Sequence, residues 1–238
     1  MFKNFATSIS EYDFPMGNWS RKLELASRRA GVRPPGASWL VRTIDILIAL
    51  TAFFFFAPLL IGIALAIRFS GGGPIFFAQY RVGRDGRQFR CFKFRTMCVD
   101  AEQQLRDLLA NNAEARDEWA RDNKLRKDPR VGKVGSFLRR TSLDELPQLL
   151  NVIKGEMNLV GPRPVTVAEL EKYGASRWHY VSVRPGMTGL WQVSGRNNTS
   201  YEERVALDRR YVESRSIGCD ALILLRTVKV VLFREGAR

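Results

Sequence analysis

One feature narrows the fold of this chain more than any other: the 22 residues from position 46 to position 67 carry no charged side chain. A helix of this length can cross the hydrocarbon core of a bilayer, which needs about 20 apolar residues. Pro58 lies near the middle of the run, and a proline inside a helix removes a hydrogen bond and bends the helix. We therefore expect a membrane helix that bends at Pro58.

The charges that flank the apolar run bear on how this helix would enter a membrane. Both flanks are basic, with Arg28, Arg29, Arg33 and Arg42 before the run and Arg68, Arg81, Arg84 and Arg87 after it. A straight span would place one basic flank outside the cytoplasm, against the positive-inside tendency. A re-entrant helix would keep both flanks on the cytoplasmic side. Because proline also occurs in spanning helices, the residues alone leave both arrangements open.

The overall charge indicates the class of partner. The chain has 38 basic and 24 acidic residues and a formal net charge of +14. Such a balance favours an anionic partner, which could be nucleic acid, anionic lipid or a phosphorylated substrate. Charge by itself does not choose among the three.

Cysteine and histidine usage excludes several kinds of site. Cys91, Cys98 and Cys219 show no paired spacing, so they predict reduced thiols and neither a disulfide framework nor a zinc site. His179 is the one histidine in the sequence, which argues against a histidine-based triad or a multi-histidine metal site. Any catalysis must therefore rest on carboxylates, Lys, Arg, Ser or Tyr.

The remaining chain predicts a mixture of helices and short strands. Alternating residues around a Gly-containing turn predict a β-hairpin over 75–94. Short strands are predicted at 157–160 and 190–193. Apolar spacing predicts helices over residues 99–123, after Ser142, over residues 200–213 and over residues 221–233.

The last predicted helix carries Arg226, Lys229 and Arg234 within one broad face. This arrangement is typical of a helix that lies in the membrane interface with its cations toward lipid headgroups. A buried helix with one solvated edge has the same pattern, so both interpretations stay open.

Asp144 and Glu145 form an acidic pair directly after two arginines, Arg139 and Arg140. Ser142 and Glu145 have the spacing of a capping box, and acidic residues in a first helical turn are commonly structural. With Ser142 as the cap, however, Pro147 would lose a hydrogen bond, whereas it would lose none with Asp144 as the cap. The register of this helix is therefore open.

A functional interpretation of the pair uses the same physics. A carboxylate at a helix N-terminus is expected to stay ionised, as a nucleophile or a Mg²⁺ ligand must. Two adjacent carboxylates can also have different roles, one as the nucleophile and the other as a proton acceptor or metal ligand.

Several cations are candidate phosphate-binding residues. Arg163 lies between two prolines in the Gly-Pro-Arg-Pro stretch at 161–164, and rigid placement suits bidentate phosphate binding. Lys93 and Arg95 stand at the end of the predicted hairpin, and Arg196 lies in a polar loop. Each could equally be a solvated surface cation.

The order and spacing of these motifs resemble a known family, the bacterial sugar transferases, which are monotopic phosphoglycosyl transferases that begin exopolysaccharide and O-antigen synthesis. The resemblance covers about residues 41–234. The stretches that carry it are Arg-Thr-Ile-Asp at 42–45, Pro58, Arg-Val-Gly-Arg-Asp-Gly at 81–86, Lys-Phe-Arg-Thr-Met at 93–97, Leu-Asp-Glu-Leu-Pro-Gln at 143–148, Gly-Pro-Arg-Pro at 161–164 and Arg-Pro-Gly-Met-Thr-Gly at 184–189.

The resemblance implies a definite reaction. Such enzymes move a hexose-1-phosphate, here galactose or glucose, from a UDP-hexose to undecaprenyl phosphate and release UMP. It implies that Asp144 is the nucleophile and forms a covalent phospho-sugar intermediate, that Glu145 assists as base or metal partner, and that both carboxylates bind Mg²⁺. Arg163 would bind the phosphate, with Arg140, Arg95, Lys93 and Arg196 as helpers.

The resemblance also implies the architecture and location. We expect an α+β protein with an N-terminal extension or linker (1–40), a Pro-kinked re-entrant membrane anchor (41–68) and a cytoplasmic catalytic domain (69–238) of helices, a β-hairpin and amphipathic interfacial helices. The i, i+3 spacing of Arg42 and Asp45 would also let them pair at the membrane boundary or serve there as an interface anchor, and the two roles are compatible. The location implied is the cytoplasmic face of the bacterial inner membrane, with anionic lipids as further partners and the homo-oligomeric state open.

Two other functions compete with this one. A membrane-anchored basic protein that binds nucleic acid or anionic lipid would explain the charge and the anchor, but Asp144 and Glu145 would repel its phosphates. We therefore expect no nucleic-acid partner. A Mg²⁺-dependent membrane phosphohydrolase would use the same carboxylates with water as the acceptor.

Overall fold

The computed structural model describes residues 39–122, 125, 127–195 and 199–233. This part of the chain is mostly helical and contains two small two-stranded sheets, in agreement with a mixed α and β fold. The predictions for residues 1–38, Arg196 and Arg234 lie outside the described residues.

The apolar run forms two helices that meet at a bend. Helix α1 covers Trp39–Phe55 and helix α2 covers Ala57–Gly71, and their axes differ by 60°. Pro58 lies in the first turn of α2, where its missing N–H has no partner to lose. In the described part of the chain no single helix is long and apolar enough to cross a membrane, whereas α1 and α2 together have the required length and composition.

The predicted hairpin is confirmed. Strands β1 (Phe76–Val82) and β2 (Gln88–Phe94) pair antiparallel, with Phe76 opposite Phe94. Asp85 in the connecting turn has a φ of 58°, a left-handed conformation that Asp tolerates better than most residues.

The single helix expected over 99–123 is divided into two. Helix α3 covers Ala101–Asn111 and α4 covers Ala113–Asp122. The break falls at Asn112, whose extended backbone ends α3 and whose side-chain oxygen accepts a hydrogen bond of 3.0 Å from the Ala115 N–H. Asn is a strong N-cap residue, so a local side-chain bond overrides the continuous helical pattern.

The strand expected at 190–193 is wrong. Those residues form a helical turn, α9 (Leu190–Val193), and the strand is instead β4 (Gly186–Thr188), parallel to β3 (Asn158–Val160). A Cβ on Gly186 would lie 2.1 Å from the Gly161 nitrogen, so this close backbone approach needs glycine. The glycine that allows β4 to approach Gly161 is also the kind of residue that predicts a loop, which is why the sequence pattern did not indicate a strand here.

The other helices surround these strands. In chain order they are α5 (Lys133–Thr141), α6 (Leu149–Lys154), α7 (Val167–Glu171), α8 (Arg177–Ser182), α10 (Tyr201–Ser214) and α11 (Ile217–Phe233). The main core cluster joins Val152, Met157, Tyr211 and Ile223, and Ala49 of α1 is fully buried within it. Helix α1 is thus packed partly against the rest of the fold.

Arg42 also ties α1 to that core. Its guanidinium donates to the carbonyl oxygens of Met157 at 3.0 Å and of Val152. Cations near a helix C-terminus satisfy carbonyl groups that lack a partner within the helix. The expected pair with Asp45 is not formed among the described residues, because Arg42 is bound to these carbonyls and Asp45 accepts a hydrogen bond from the Leu159 backbone.

Most of the exposed large apolar side chains of the described residues lie on three helices. They occupy α1, α2 and α11 and include Trp39, Leu47, Phe54, Phe55, Ile61, Leu65, Phe69, Leu222, Leu225 and Val228. An exposed apolar surface of this kind marks an interaction with a membrane or another protein.

Candidate active site

The acidic pair is placed by a sharp reversal of the chain. Helix α5 ends at Thr141, Ser142 adopts a left-handed conformation with a φ of 57°, and a 3₁₀ helix, Leu143–Gln148, leads into α6. The Ser142 side chain caps nothing, so the capping box of Ser142 and Glu145, one of the two registers that the sequence left open, is not formed. The physical reason is that Ser142 serves as the C-terminal cap of the preceding helix, with its N–H bonded to Arg139.

Close packing brings this turn to the hairpin. A Cβ on Gly135 would lie 2.0 Å from the Thr96 carbonyl oxygen, so α5 crosses the chain just after β2 at direct backbone contact. Arg139 then donates from Nε to Thr96 Oγ1 at 2.9 Å. The acidic pair is thereby held beside the end of β2, the strand that carries Lys93.

Two of the predicted cations contact the acidic pair. Lys93 Nζ lies 2.7 Å from Glu145 Oε1 and 4.0 Å from Asp144 Oδ2. Arg163 Nη2 lies 3.9 Å from the same Glu145 oxygen. Three segments far apart in the sequence therefore contribute to one cluster of two carboxylates and two cations.

Burial changes the electrostatics of Asp144. The residue is 9% exposed, and burial raises the pKa of its carboxyl above the ordinary value. The Lys93 and Arg139 charges oppose this rise, and the Glu145 charge adds to it. The expectation from the helix dipole, a carboxylate held firmly ionised, did not include this desolvation. A poorly solvated carboxylate gains more from a nearby cation than an exposed one does.

Arg163 is held by a rigid frame. The Gly161 N–H donates to the Thr188 carbonyl at 2.9 Å, and the Gly186 N–H donates to the Pro162 carbonyl at 2.8 Å. The guanidinium lies 5.6 Å from the centre of the Trp191 ring, within the range of a cation–π contact. The backbone on both sides of the loop is thus fixed by the β3–β4 pair, as the two prolines suggest.

A cleft opens beside this cluster. It is lined by Arg81, Cys91, Lys93, Glu145, Gln148, Arg163, Pro164, Met187 and Gln192. Glu145 thus faces the cleft, whereas Asp144 is more deeply buried at its edge. Nothing local in the sequence marks Arg81, Gln148 or Gln192 as a binding residue, because Arg81 is one of many cations and the two glutamines are uncharged.

The other predicted site residues are elsewhere. Arg95 donates to the Gly72 carbonyl, and Arg140 is exposed in the last turn of α5. Neither of them lines the cleft as the structure describes it. Arg196 lies outside the described residues.

The acidic pair suits a hard cation such as Mg²⁺. Among the described residues no group of three or more His, Cys, Asp or Glu side chains could hold a metal ion. Mg²⁺, however, is commonly bound by one or two carboxylates together with substrate phosphates. Asp144 and Glu145 fit that donor set, and Lys93 occupies the same oxygens as a counter-charge.

Comparison with known proteins places this geometry in a family. The family model for bacterial sugar transferases matches residues 36–234. The chain is 50% identical to a UDP-galactose-lipid carrier transferase of Erwinia amylovora over 84% of its length. It is 48% identical to an undecaprenyl-phosphate galactose phosphotransferase of Salmonella typhimurium, also over 84%.

The chain spans 42% of the length of each of those two relatives. It is also 46% identical to the exopolysaccharide production protein ExoY of Rhizobium meliloti, over 87% of this chain and 91% of that protein. A family match that includes α1, the acidic pair and the Arg163 loop covers the whole candidate site. The chain therefore belongs to the bacterial sugar transferase family.

Proposed function

We propose that this protein transfers a hexose-1-phosphate, carrying galactose or glucose, from a UDP-hexose to undecaprenyl phosphate and releases UMP. The observation that carries the proposal is the meeting of Asp144 and Glu145 with Lys93 and Arg163 beside one cleft. Carboxylates supply a nucleophile and a base, and cations neutralise a diphosphate. The names of the Salmonella and Erwinia relatives support a galactose donor and a lipid acceptor.

The reaction would proceed in two displacements at one phosphorus. An oxygen of Asp144 attacks the phosphorus that bears the sugar, and the bond from that phosphorus to the bridging oxygen breaks as UMP leaves. An oxygen of the lipid phosphate then attacks the same phosphorus and breaks its bond to Asp144. The second step restores the carboxylate, so a soluble donor and a membrane acceptor use one site in turn.

The surrounding residues would control charge and protons. Arg163, held by its frame, would bind the diphosphate, and Lys93 would offset the negative charge as it moves from phosphate to leaving group. Glu145 would act as base or metal partner. Bound Mg²⁺, held by Asp144 and Glu145, would neutralise phosphate charge and draw the Asp144 carboxyl into its ionised form.

The bent helix pair supports a re-entrant anchor. A 60° bend between two apolar helices of 17 and 15 residues returns the chain to the side from which it entered when each helix lies at a shallow angle to the membrane plane. We assign residues 41–68 to this anchor and 69–238 to a catalytic domain on the cytoplasmic face of the inner membrane. The exposed apolar side chains of α11 would rest in the interface, with Arg226 and Lys229 available to anionic lipids.

The first test measures which nucleotide is released. Purified protein is incubated with UDP-galactose or UDP-glucose, Mg²⁺ and undecaprenyl phosphate, and we expect UMP that depends on the lipid. Release of UDP would indicate ordinary glycosyl transfer and contradict the proposal. UMP formed equally well without the lipid would indicate a hydrolase.

Asp144→Asn tests the nucleophile. Because the amide cannot form the phospho-enzyme, we expect UMP release to fall by about 10³-fold or more. The matched control is Asp107→Asn, on the exposed face of α3, which should keep wild-type activity. A radiolabelled hexose-phosphate retained on wild-type protein but not on Asp144→Asn would support the intermediate, and equal labelling of both would contradict it.

A further inference from the structure

Two neutral amide side chains lie in the cleft without a part in the phosphoryl transfer. Gln148 is 3% exposed and Gln192 is 8% exposed, and both line the cleft beside Lys93, Glu145 and Arg163. Buried amides in proteins are nearly always hydrogen-bonded. These two therefore need an explanation.

Gln192 holds an unsatisfied group. Its Oε1 is enclosed and accepts no hydrogen bond, and it lies 2.9 Å from the point where a Cβ on Gly189 would stand. In the part of the chain that the structure describes, neither glutamine side chain bonds to another protein group. An unpaired buried amide oxygen costs free energy, and an amide that turned toward a polar ligand in the cleft would remove that cost.

The walls of the cleft differ in chemistry. Its cationic groups are Arg81, Lys93 and Arg163, and its uncharged groups are the two glutamines with Cys91, Pro164 and Met187. Cations suit the phosphates of the donor. Amides paired with apolar groups suit an uncharged portion that carries both hydroxyl groups and C–H faces, because an amide can donate to one hydroxyl and accept from another.

Two portions of a UDP-hexose are uncharged, the hexose and the uridine. The hexose is joined through its anomeric oxygen to the phosphorus that Asp144 would attack, so it would lie close to the acidic pair. A base is commonly bound by stacking on an aromatic ring, and none of the described residues that line the cleft is aromatic. Both considerations favour the hexose.

We infer that Gln192, with Gln148 beside it, binds the hydroxyl groups of the donor hexose and so contributes to sugar recognition. The inference rests on the proposed function. Gln192 and Gln148 would thus bind the sugar, while Lys93 and Arg163 in the same cleft would bind the phosphates.

The test separates sugar binding from nucleotide binding. Gln192→Met keeps the length of the side chain and removes the amide. With the UDP-hexose that the wild-type protein uses, we expect its KM to rise about five- to tenfold, which corresponds to the loss of one or two neutral hydrogen bonds. The inhibition constant of UMP, which lacks the sugar, should stay unchanged.

The control is Gln104→Met, on the exposed face of α3, which should change neither constant. Gln148→Met and Gln192→Ala repeat the measurement if Gln192→Met unfolds, as judged by its melting temperature. Equal weakening of UDP-hexose and UMP would place the glutamines on the nucleotide and overturn the inference, as would no change in either. A wild-type protein that released no UMP would instead overturn the proposed function, and the sugar role with it.

Discussion

At the scale of single residues, the site combines opposed demands on Asp144. Burial raises the pKa of its carboxyl while Lys93 and Arg139 lower it. A carboxylate that is shielded from water needs a nearby positive charge to stay ionised. In the absence of substrate, the Lys93 ammonium supplies that charge to Asp144. A phosphate bound by Arg163 would add negative charge beside Asp144, so a bound cation would stabilise the site more strongly once the substrate is present.

A second buried carboxyl, Asp208 of α10, makes stability depend on pH. It is 2% exposed and accepts a hydrogen bond of 2.8 Å from the Tyr173 hydroxyl. Burial raises its pKa from the ordinary 3.8 to about 6, although Tyr173 and the Arg204 and Arg163 charges oppose the rise. The folded protein therefore holds a proton on Asp208 over a pH range in which the unfolded chain has lost it.

Asp208→Asn tests this linkage. Between about pH 4 and pH 6 the folded state binds more protons than the unfolded state, so the wild-type free energy of unfolding should fall as the pH rises, by roughly 3 kcal/mol at most. The variant should lack this loss and be the more stable above pH 6. Denaturant unfolding from pH 4 to pH 8 measures the difference. A difference that stayed constant across this range, as expected for the exposed control Asp107→Asn, would contradict it.

At the scale of elements, the contact between α5 and the chain after β2 positions the acidic pair. Gly135 is the point of contact with Thr96, and the pair follows one turn after α5 ends. The helix cannot shift away without moving Ser142 and the 3₁₀ helix that carries both carboxylates. The arrangement of Lys93 with Glu145 therefore depends on a glycine that touches neither.

Gly135→Ala should disrupt this packing. The new Cβ would meet a backbone oxygen, which cannot move aside as a side chain can. We expect a loss of stability of about 1–3 kcal/mol together with lower UMP release, measured by thermal unfolding and by the nucleotide assay. Gly132→Ala is the matched control, because nothing lies within 4 Å of its added Cβ. Equal melting temperatures for the two variants would exclude the proposed role of the contact.

At the scale of the whole molecule, the proposed anchor and the proposed catalytic domain share one core. Ala49 is buried among residues of α6, β3, α10 and α11, and Arg42 binds carbonyls at the end of α6. The bent pair therefore cannot act as an independent tether. In the re-entrant arrangement that we propose, its direction in the membrane would fix how the cleft faces the lipid acceptor.

Cysteine labelling tests the topology of the anchor. Single cysteines replace Trp39 and Ser70, at the two ends of the bent pair, in a protein whose Cys91, Cys98 and Cys219 have been changed to Ala. In spheroplasts, a membrane-impermeant maleimide should label neither position, and it should label both after permeabilisation. Reaction at one end in intact spheroplasts would establish a straight span and contradict the re-entrant arrangement.

The sequence by itself determined the local features. The apolar run, the bend at Pro58, the hairpin at 76–94 and the identity of the acidic pair all follow from patterns within a few residues, because helix and strand periods, proline and tight turns act over that range. The motif order also indicated the family. Each of these inferences needed only neighbours along the chain.

Tertiary structure alone decided which residues meet. It brought Lys93, Glu145 and Arg163 together, left Arg95 and Arg140 outside the cleft, placed Gln148 and Gln192 inside it and buried Asp144. It also put β4 at Gly186–Thr188, where two backbones approach too closely for a side chain. The physical reason is that desolvation, charge pairing and close packing depend on distances between segments far apart in the chain, which no local pattern encodes.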